Sequence, residues 1–316
     1  MSENKIYDKK IIQIRKILER YSLEDKAVFY KDVSKLTSIR AGGRCVCFLV
    51  IDDRHILAPV LEDFLKSNIR FYLIGEGTNI LFADGLIDII LLKLGKDFNY
   101  IDFGNGNEIT VGAAYNLHKF ITQAAEAGID FSFLSGIPGT VGGAVFGNSG
   151  TKKENICEYV KKVKYISING KKIQEKEKKL LKKDYSYRYF NTSCLAILTD
   201  IYLEGKFLDQ NLIIKKISEI KKSRKENQPV KSKNSGCFFK NPRTVELSAG
   251  EIIDKCRFKG FIYGGARVSD IHSNFIENFN NASSKDIFTL VKIIKESVRE
   301  RFNVNLEYEV RMVGFE

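Results

Sequence analysis

The sequence has only three histidines, His55, His118 and His272, and they lie far apart along the chain. They offer no zinc-ligand spacing, so no metal is expected. Its six cysteines, at 45, 47, 157, 194, 237 and 256, include no C-x-x-C pair. In a chain of this length with no export signal they read as reduced thiols. Long apolar runs are missing as well. The longest, around Leu86 to Leu92, is interrupted by Asp88 and falls far short of the roughly 20 residues a membrane-spanning helix needs. The N-terminal MSENKIYDKK lacks the apolar core of a signal peptide. The expectation is a cytoplasmic protein with no membrane insertion. No Lys-Ser or Lys-Thr pair follows a glycine loop, and no G-x-G-x-x-G occurs, so neither common nucleotide fingerprint is present. Repeats and low-complexity segments are lacking too.

What is present is a chain of 316 residues, enough for about two domains at ~150 residues each. The net charge of +12 comes from lysines spread along helices and hairpins, as in KKIQEKEKKLLKK (171–183). Acidic residues are interleaved, and no aromatics alternate with the lysines as a base-stacking surface requires. The charge reads as a solvated surface that can also steer anionic ligands.

The most unusual stretch is GIPGTVGGAVFGNSG, Gly136 to Gly150, in which six of fifteen residues are glycine. Pro138 inside it is the only proline between Pro59 and Pro229. Glycine lacks a Cβ, so it permits positive φ and lets a flat ligand approach the backbone. Successive amides in such turns form a nest for a pyrophosphate or another anion. A second glycine turn, Gly75-Glu76-Gly77-Thr78-Asn79, directly follows the short strand pattern FYLIG (71–75). One such turn is a weak signal; two give a dinucleotide contacts at separate points.

The periodicity predicts a helix over 8–21 carried by Ile11, Ile14 and Leu18, after which TSIRAGG (37–43) leads to a buried strand over 45–51. A helix over 53–67 shows Leu57, Val60, Leu61 and Leu65 on one side, strands follow at 87–93 and 108–112, and a helix at 115–128 leads into the glycine stretch. Beyond it, strand 159–168 turns at Asn169-Gly170 into strand 171–175, and an apolar strand spans 194–203. A lysine-rich helix covers 207–225, and a surface connection (226–236) delivers the chain to CFFKNP (237–242). Ser283 and Asp286 form a capping pair for a helix over 284–302 with Ile287, Leu290, Val291, Ile294 and Val298 on its apolar face. In NLEYEVRMVG the last strand places Leu306, Tyr308, Val310 and Met312 on one face and Glu307, Glu309 and Arg311 on the other.

GEGTNIL (75–81), SGIPGTVGGAVFGNSG (135–150), YSYRYF (185–190), SGCFFKNP (235–242) and LEYEVRMVG (306–314), taken together and in this order, resemble the UDP-N-acetylenolpyruvoylglucosamine reductase family. The resemblance runs from about residue 34 to the C-terminus. Gly260, Gly264-Gly265-Ala266, Val268-Ser269 and His272-Ser273-Asn274-Phe275 are similar to the family's stretch before its last helix.

The resemblance implies an α+β fold: an FAD-binding unit of the vanillyl-alcohol-oxidase type, in two subdomains, plus a C-terminal α+β substrate domain. An N-terminal helical segment would occupy 1–33, the FAD-binding domain 34–203 and the substrate domain 204–316. It implies non-covalent FAD, NADPH as co-substrate, and reduction of UDP-N-acetylglucosamine enolpyruvate to UDP-N-acetylmuramate for peptidoglycan. Hydride would pass from flavin N5 to C3 of the enolpyruvyl group and a proton to C2. By matching positions, Arg188 is the cation for the enolpyruvyl carboxylate, Glu309 the acid that stabilises the enol form, and Cys237 the proton donor. Tyr187, Lys240 and Asn241 fall where the family holds substrate. Gly75, Glu76, Gly77, Thr78 and Asn79, with Gly136, Pro138, Gly139, Thr140, Gly142 and Gly143, would hold the FAD. The chain is expected to act as a monomer without nucleic-acid partners.

Three departures from the family's commonest pattern stand out. Cys237 replaces a frequent serine, Thr78 replaces another, and the interval from Arg188 to Ser235 lacks the extra tyrosine-bearing segment of the longer class. Two other readings stay open. A different flavoenzyme oxidising an alcohol or hydroxy acid would share the glycine turns but not SGCFFKNP or the Glu309 strand. A basic nucleic-acid-binding protein would bind with strong salt dependence and carry no chromophore.

Overall fold

The structure is a computed structural model that describes residues 3–151, 153–191 and 195–315. It is an α+β protein whose contacts divide it into two units, each discontinuous in sequence. Cys194, one of the six cysteines, lies outside the described residues. Cys45, Cys47, Cys157, Cys237 and Cys256 are not joined in disulfides. No helix among the described residues is long and apolar enough to cross a membrane.

The first unit comprises Met1–Lys31, Val46–Gly75 and Asp88–Lys221. Its main sheet has five antiparallel strands in the order Lys172–Lys179, Val160–Asn169, Leu195–Glu204, Glu108–Gly112, Ile101–Phe103. A smaller sheet is built around Arg44–Ile51, whose apolar run is almost wholly buried, and Leu86–Leu94. Strand-length runs without polar alternation are what a sheet covered on both faces requires. The helix Leu117–Glu126 begins where Asn116 Oδ1 accepts the Lys119 N–H at 3.1 Å, an N-cap that satisfies a donor with no partner inside the helix. It buries Leu117, Phe120, Ile121 and Ala124 in the core.

Two local expectations shift by one residue. In the helix Arg54–Lys66 the fourth fully buried residue is Phe64, while Leu65 is only partly buried. The side-chain stripe at positions 57, 60, 61 and 64 keeps the i, i+3, i+4, i+7 spacing that position 65 breaks. In the hairpin, Asn169 pairs with Lys172, so the turn residues are Gly170 and Lys171 rather than Asn169 and Gly170. Gly170 has φ +58°, the conformation a two-residue hairpin needs at its first central position.

The second unit comprises Asp32–Cys45, Glu76–Ile87 and Lys222–Glu316. An antiparallel sheet, in the order Asn234–Cys237, Phe275–Asn278, Ala266–Val268, Ile262–Tyr263, shares a core with the helices Ala249–Lys255 and Ser284–Phe302. Both helices start with reciprocal capping boxes, Ser248 with Glu251 and Ser283 with Asp286. Ile287, Leu290, Val291, Ile294 and Val298 are all buried, as their spacing predicts. The predicted last strand narrows to Arg311–Val313; before it Leu306 and Val310 are buried and Glu307 is exposed, while Tyr308 and Glu309 are both half-buried. The pairing of this segment is split: Tyr308 bridges Phe239, and Arg311–Val313 runs parallel to Ile80–Phe82.

Candidate active site

In the first unit the chain leaves the single turn Ser132–Leu134 and enters the glycine stretch with Gly136 at φ +77° and Gly139 at φ +134°. These values belong to glycine, since a Cβ would clash with the neighbouring carbonyl. Thr140 then caps the helix Val141–Phe146 by accepting the Gly143 N–H on Oγ1 at 3.1 Å. The stretch is anchored rather than loose. Leu117 donates to the Gly139 carbonyl, Val141 to Tyr115 and Gly142 to Ala113, each at 2.9 Å. A Cβ on Gly142 would lie 2.7 Å from the Ala113 Cβ, so this glycine serves close packing. A Cβ on Gly75 would lie 2.9 Å from Thr140 Oγ1, so the fold brings the start of the 75–79 turn onto the 136–143 loop.

These residues fit the cofactor the sequence implies. No acceptor is found among the described residues for the N–H groups of Gly136, Gly139 and Thr140, and the buried hydroxyl of Ser135 makes no hydrogen bond there either. A buried polar group such as the Ser135 hydroxyl costs free energy unless a partner meets it, and the amides of exposed Gly136 and half-buried Gly139 are open to a ligand. Backbone amides of this kind suit a pyrophosphate.

Tyr187 and Arg188 are the two turn residues between the strands Tyr185–Ser186 and Tyr189–Phe190. Arg188 has φ +54°, a left-handed conformation for a residue with a full side chain. Such a backbone costs about 1–3 kcal/mol and is retained where the surroundings enforce it. Its guanidinium lies 5.2 Å from the centre of the Tyr187 ring, and its Nη1 donates to the Asn148 carbonyl at 3.4 Å. Asn148 is itself buried with φ +41°, and its Nδ2 donates to the Ser186 carbonyl at 2.7 Å. Its Oδ1 accepts the Cys157 N–H at 3.3 Å. The Cys157 thiol is pushed up to about 12 by burial, which leaves it an inert packing group.

In the second unit Cys237 ends the strand Asn234–Cys237 and is partly exposed. Beyond it Glu309 donates its N–H to the Phe238 carbonyl and Lys240 to the Glu307 carbonyl, both at 2.9 Å. Cys237, Lys240 and Glu309 therefore sit along one short ladder. Asn274 clamps the same segment, accepting the Phe239 N–H at 2.9 Å and donating to its carbonyl at 2.8 Å. Tyr308 stacks on Phe239 with ring centres 5.6 Å apart, and burial raises its hydroxyl pKa. Lys240 Nζ meets Glu307 at 3.2 Å, and Asn241 Oδ1 accepts the Ala249 N–H at 3.0 Å at the start of a helix. Asn79 Nδ2 donates to the Glu309 carbonyl at 3.2 Å, so the end of the 75–79 turn is tied to the last strand. Gly77, φ +64°, leaves no room for a side chain, because a Cβ would lie 2.0 Å from the Leu36 carbonyl oxygen.

Of the predicted residues, Gly75, the 136–143 loop, Tyr187 and Arg188 fall in the first unit, and Glu76–Asn79, Cys237, Lys240, Asn241 and Glu309 in the second. Sequence reasoning passed over Asn148 and Asn274 as site supports. The signal for Asn148 was an asparagine in a glycine-rich turn, the residue type that best tolerates left-handed φ while bonding the backbone.

Residues 48–174 match the model of an FAD-binding domain, and residues 228–313 match that of the UDP-N-acetylenolpyruvoylglucosamine reductase C-terminal domain. Among similar proteins, the UDP-N-acetylenolpyruvoylglucosamine reductase of Wolbachia sp. subsp. Drosophila simulans is 32% identical, covering 89% of this chain and 94% of the relative. That of Orientia tsutsugamushi is 34% identical over 89% and 92%, and that of Bacillus pumilus 30% over 96% and 96%. The crystal structure of the Thermus caldophilus enzyme superposes with a TM-score of 0.73 at 28% identity, over 91% of this chain and 98% of that one. The glycine loops and the matched domain make this chain an FAD-containing oxidoreductase. More narrowly, it belongs to the UDP-N-acetylenolpyruvoylglucosamine reductase family.

Proposed function

We propose that the chain reduces UDP-N-acetylglucosamine enolpyruvate to UDP-N-acetylmuramate, with NADPH as the reductant, in the cytoplasm and as a monomer. The observation that carries this reading is the match to both the FAD-binding domain and the reductase C-terminal domain within one chain. FAD, when bound, supplies the hydride carrier between NADPH and C3 of the enolpyruvyl group. The turns at 75–79 and 136–143 would hold it, and the N–H groups of Gly136, Gly139 and Thr140 would be available to an anionic phosphate.

Arg188 binds the enolpyruvyl carboxylate, and its planar fork supplies two parallel N–H donors where a lysine has one point charge. Charge that builds on the carboxylate during reduction is stabilised by this cation and by Glu309, which shares its proton with the enol oxygen. Cys237 gives its thiol proton to C2. A thiol placed at C2 can serve as the general acid that delivers this proton. The ladder between 237–240 and 307–309 supports the pairing of these two roles. Tyr187, Lys240 and Asn241 hold the rest of the substrate. In this reading 34–203 is the FAD-binding domain, 204–316 the substrate domain and 1–33 a helical segment. Anaerobic turnover with NADPH and the enolpyruvyl nucleotide tests it: formation of the lactyl ether supports it, and oxidation of NADPH without that product overturns it.

A further inference from the structure

Asn148 makes three contacts, two of them with the Arg188 turn and one with the segment at Cys157. Its Nδ2 donates to the Ser186 carbonyl at 2.7 Å, its own carbonyl accepts from Arg188 Nη1 at 3.4 Å, and its Oδ1 accepts the Cys157 N–H at 3.3 Å. The side chain is buried, and the residue lies two positions past the end of the helix Val141–Phe146 that Thr140 caps. The hairpin it holds is minimal, with two paired residues on each side of Tyr187 and Arg188. Two-stranded ribbons of that size are not stable alone. The left-handed backbone at Arg188 adds a local cost that something outside the turn must offset.

We propose that Asn148 is a positioning residue for the reaction: it pins the Tyr187-Arg188 turn to the glycine-rich segment and fixes the direction of the Arg188 guanidinium. This rests on the reading of Arg188 as the carboxylate-binding cation. The chemistry requires a carboxamide at this position. One end must donate to a carbonyl while the other accepts an amide N–H, and the backbone must sit at φ +41°. Asparagine meets all three conditions. Aspartate keeps the backbone and the acceptor but turns a carboxylate oxygen toward the Ser186 carbonyl. Glycine keeps only the backbone. Misplacement of a binding group by about 1 Å costs on the order of 10²-fold in rate.

The test uses the FAD-loaded enzyme and its two half-reactions, in Asn148→Gly, Asn148→Asp, Arg188→Lys and the double variant Asn148→Gly/Arg188→Lys. Reduction by NADPH is expected at the parental rate in both Asn148 variants. Reoxidation by the enolpyruvyl nucleotide is expected to slow by about 10²-fold. Because Asn148 acts through Arg188, Asn148→Gly should add little once Arg188 is lysine, a strong departure from additivity. Hydrogen exchange should quicken at residues 185–190 and not in the helix Val141–Phe146. Parental reoxidation in either Asn148 variant, equal slowing of both half-reactions, additive losses in the double variant, or loss of bound FAD would each overturn the proposal. If Arg188→Lys itself reoxidises at the parental rate, the assignment of Arg188 fails instead.

Discussion

The side-chain amide of Asn79 donates to the backbone carbonyl of Glu309 at 3.2 Å, and the Arg311 N–H returns to the Asn79 carbonyl at 3.1 Å. Two residues 230 positions apart thus form one piece of structure, continued by the parallel pairing of Ile80–Phe82 with Arg311–Val313. Asn79→Ala should lower stability by about 1 kcal/mol, the usual value of one hydrogen bond, as read from urea unfolding. Glu309→Gln should leave FAD content unchanged and cut turnover by roughly 10²–10⁴-fold, the range for a general acid–base group. Parental turnover in Glu309→Gln would remove Glu309 from the chemistry.

Arg188 combines a left-handed backbone with a proposed catalytic charge. Arg188→Lys should lose most activity with the charge kept, because an ammonium cannot make the two-pronged contact. Arg188→Gly should abolish turnover yet change stability by less than about 1 kcal/mol, since relief of the strained φ offsets the lost contacts. Thermal unfolding beside steady-state kinetics checks both; a large stability loss in the glycine variant would mean the turn is not strained.

For Cys237 the required property is a positioned X–H bond. Cys237→Ser should keep substantial activity, and Cys237→Ala should slow reoxidation by substrate about 10²–10⁴-fold. Reduction by NADPH should be unaffected in both, because that half-reaction needs no proton at C2. Stopped-flow separation of the two steps decides it. An alanine variant that reoxidises like the parent would make Cys237 a packing residue.

Asp200 is a buried carboxylate held by Arg54 at 2.8 and 2.9 Å and by the Tyr100 hydroxyl at 2.5 Å. Burial pushes its pKa up, but the Arg54 guanidinium and the Tyr100 and Thr199 hydroxyls outweigh it, and the net shift is downward. A depressed folded-state pKa contributes stability that is fully present above the unfolded value of about 3.9 and drains away as pH falls through the folded value. Asp200→Asn should therefore cost about 3 kcal/mol at neutral pH and flatten the acid limb of the stability curve below about pH 4. Urea unfolding at a series of pH values checks this; parallel acid limbs would show that Asp200 does not carry the acid sensitivity.

Much of the fold could be read from local pattern because local pattern is physical. The face of the helix Ser284–Phe302 and its capping box follow from side-chain spacing and from donors the helix must satisfy. The two glycine turns were legible because only glycine serves at Gly77 and Gly139. What escaped was partnership. Alternation in 306–312 defines two faces but does not say that Tyr308 meets Phe239 while Arg311 meets Ile80. Nor does composition reveal that Gly142 packs closely against Ala113. Packing also groups Asp32–Cys45 and Glu76–Ile87 with Lys222–Glu316, a long-range choice that no short window of sequence encodes.

The central claim is tested most directly by the absorption spectrum of the purified protein, followed through one anaerobic cycle. The account predicts a yellow protein whose non-covalent flavin band is bleached by NADPH and restored when the enolpyruvyl nucleotide is added. A colourless preparation that takes up no FAD, or a bleached flavin that the enolpyruvyl nucleotide does not reoxidise, would contradict it.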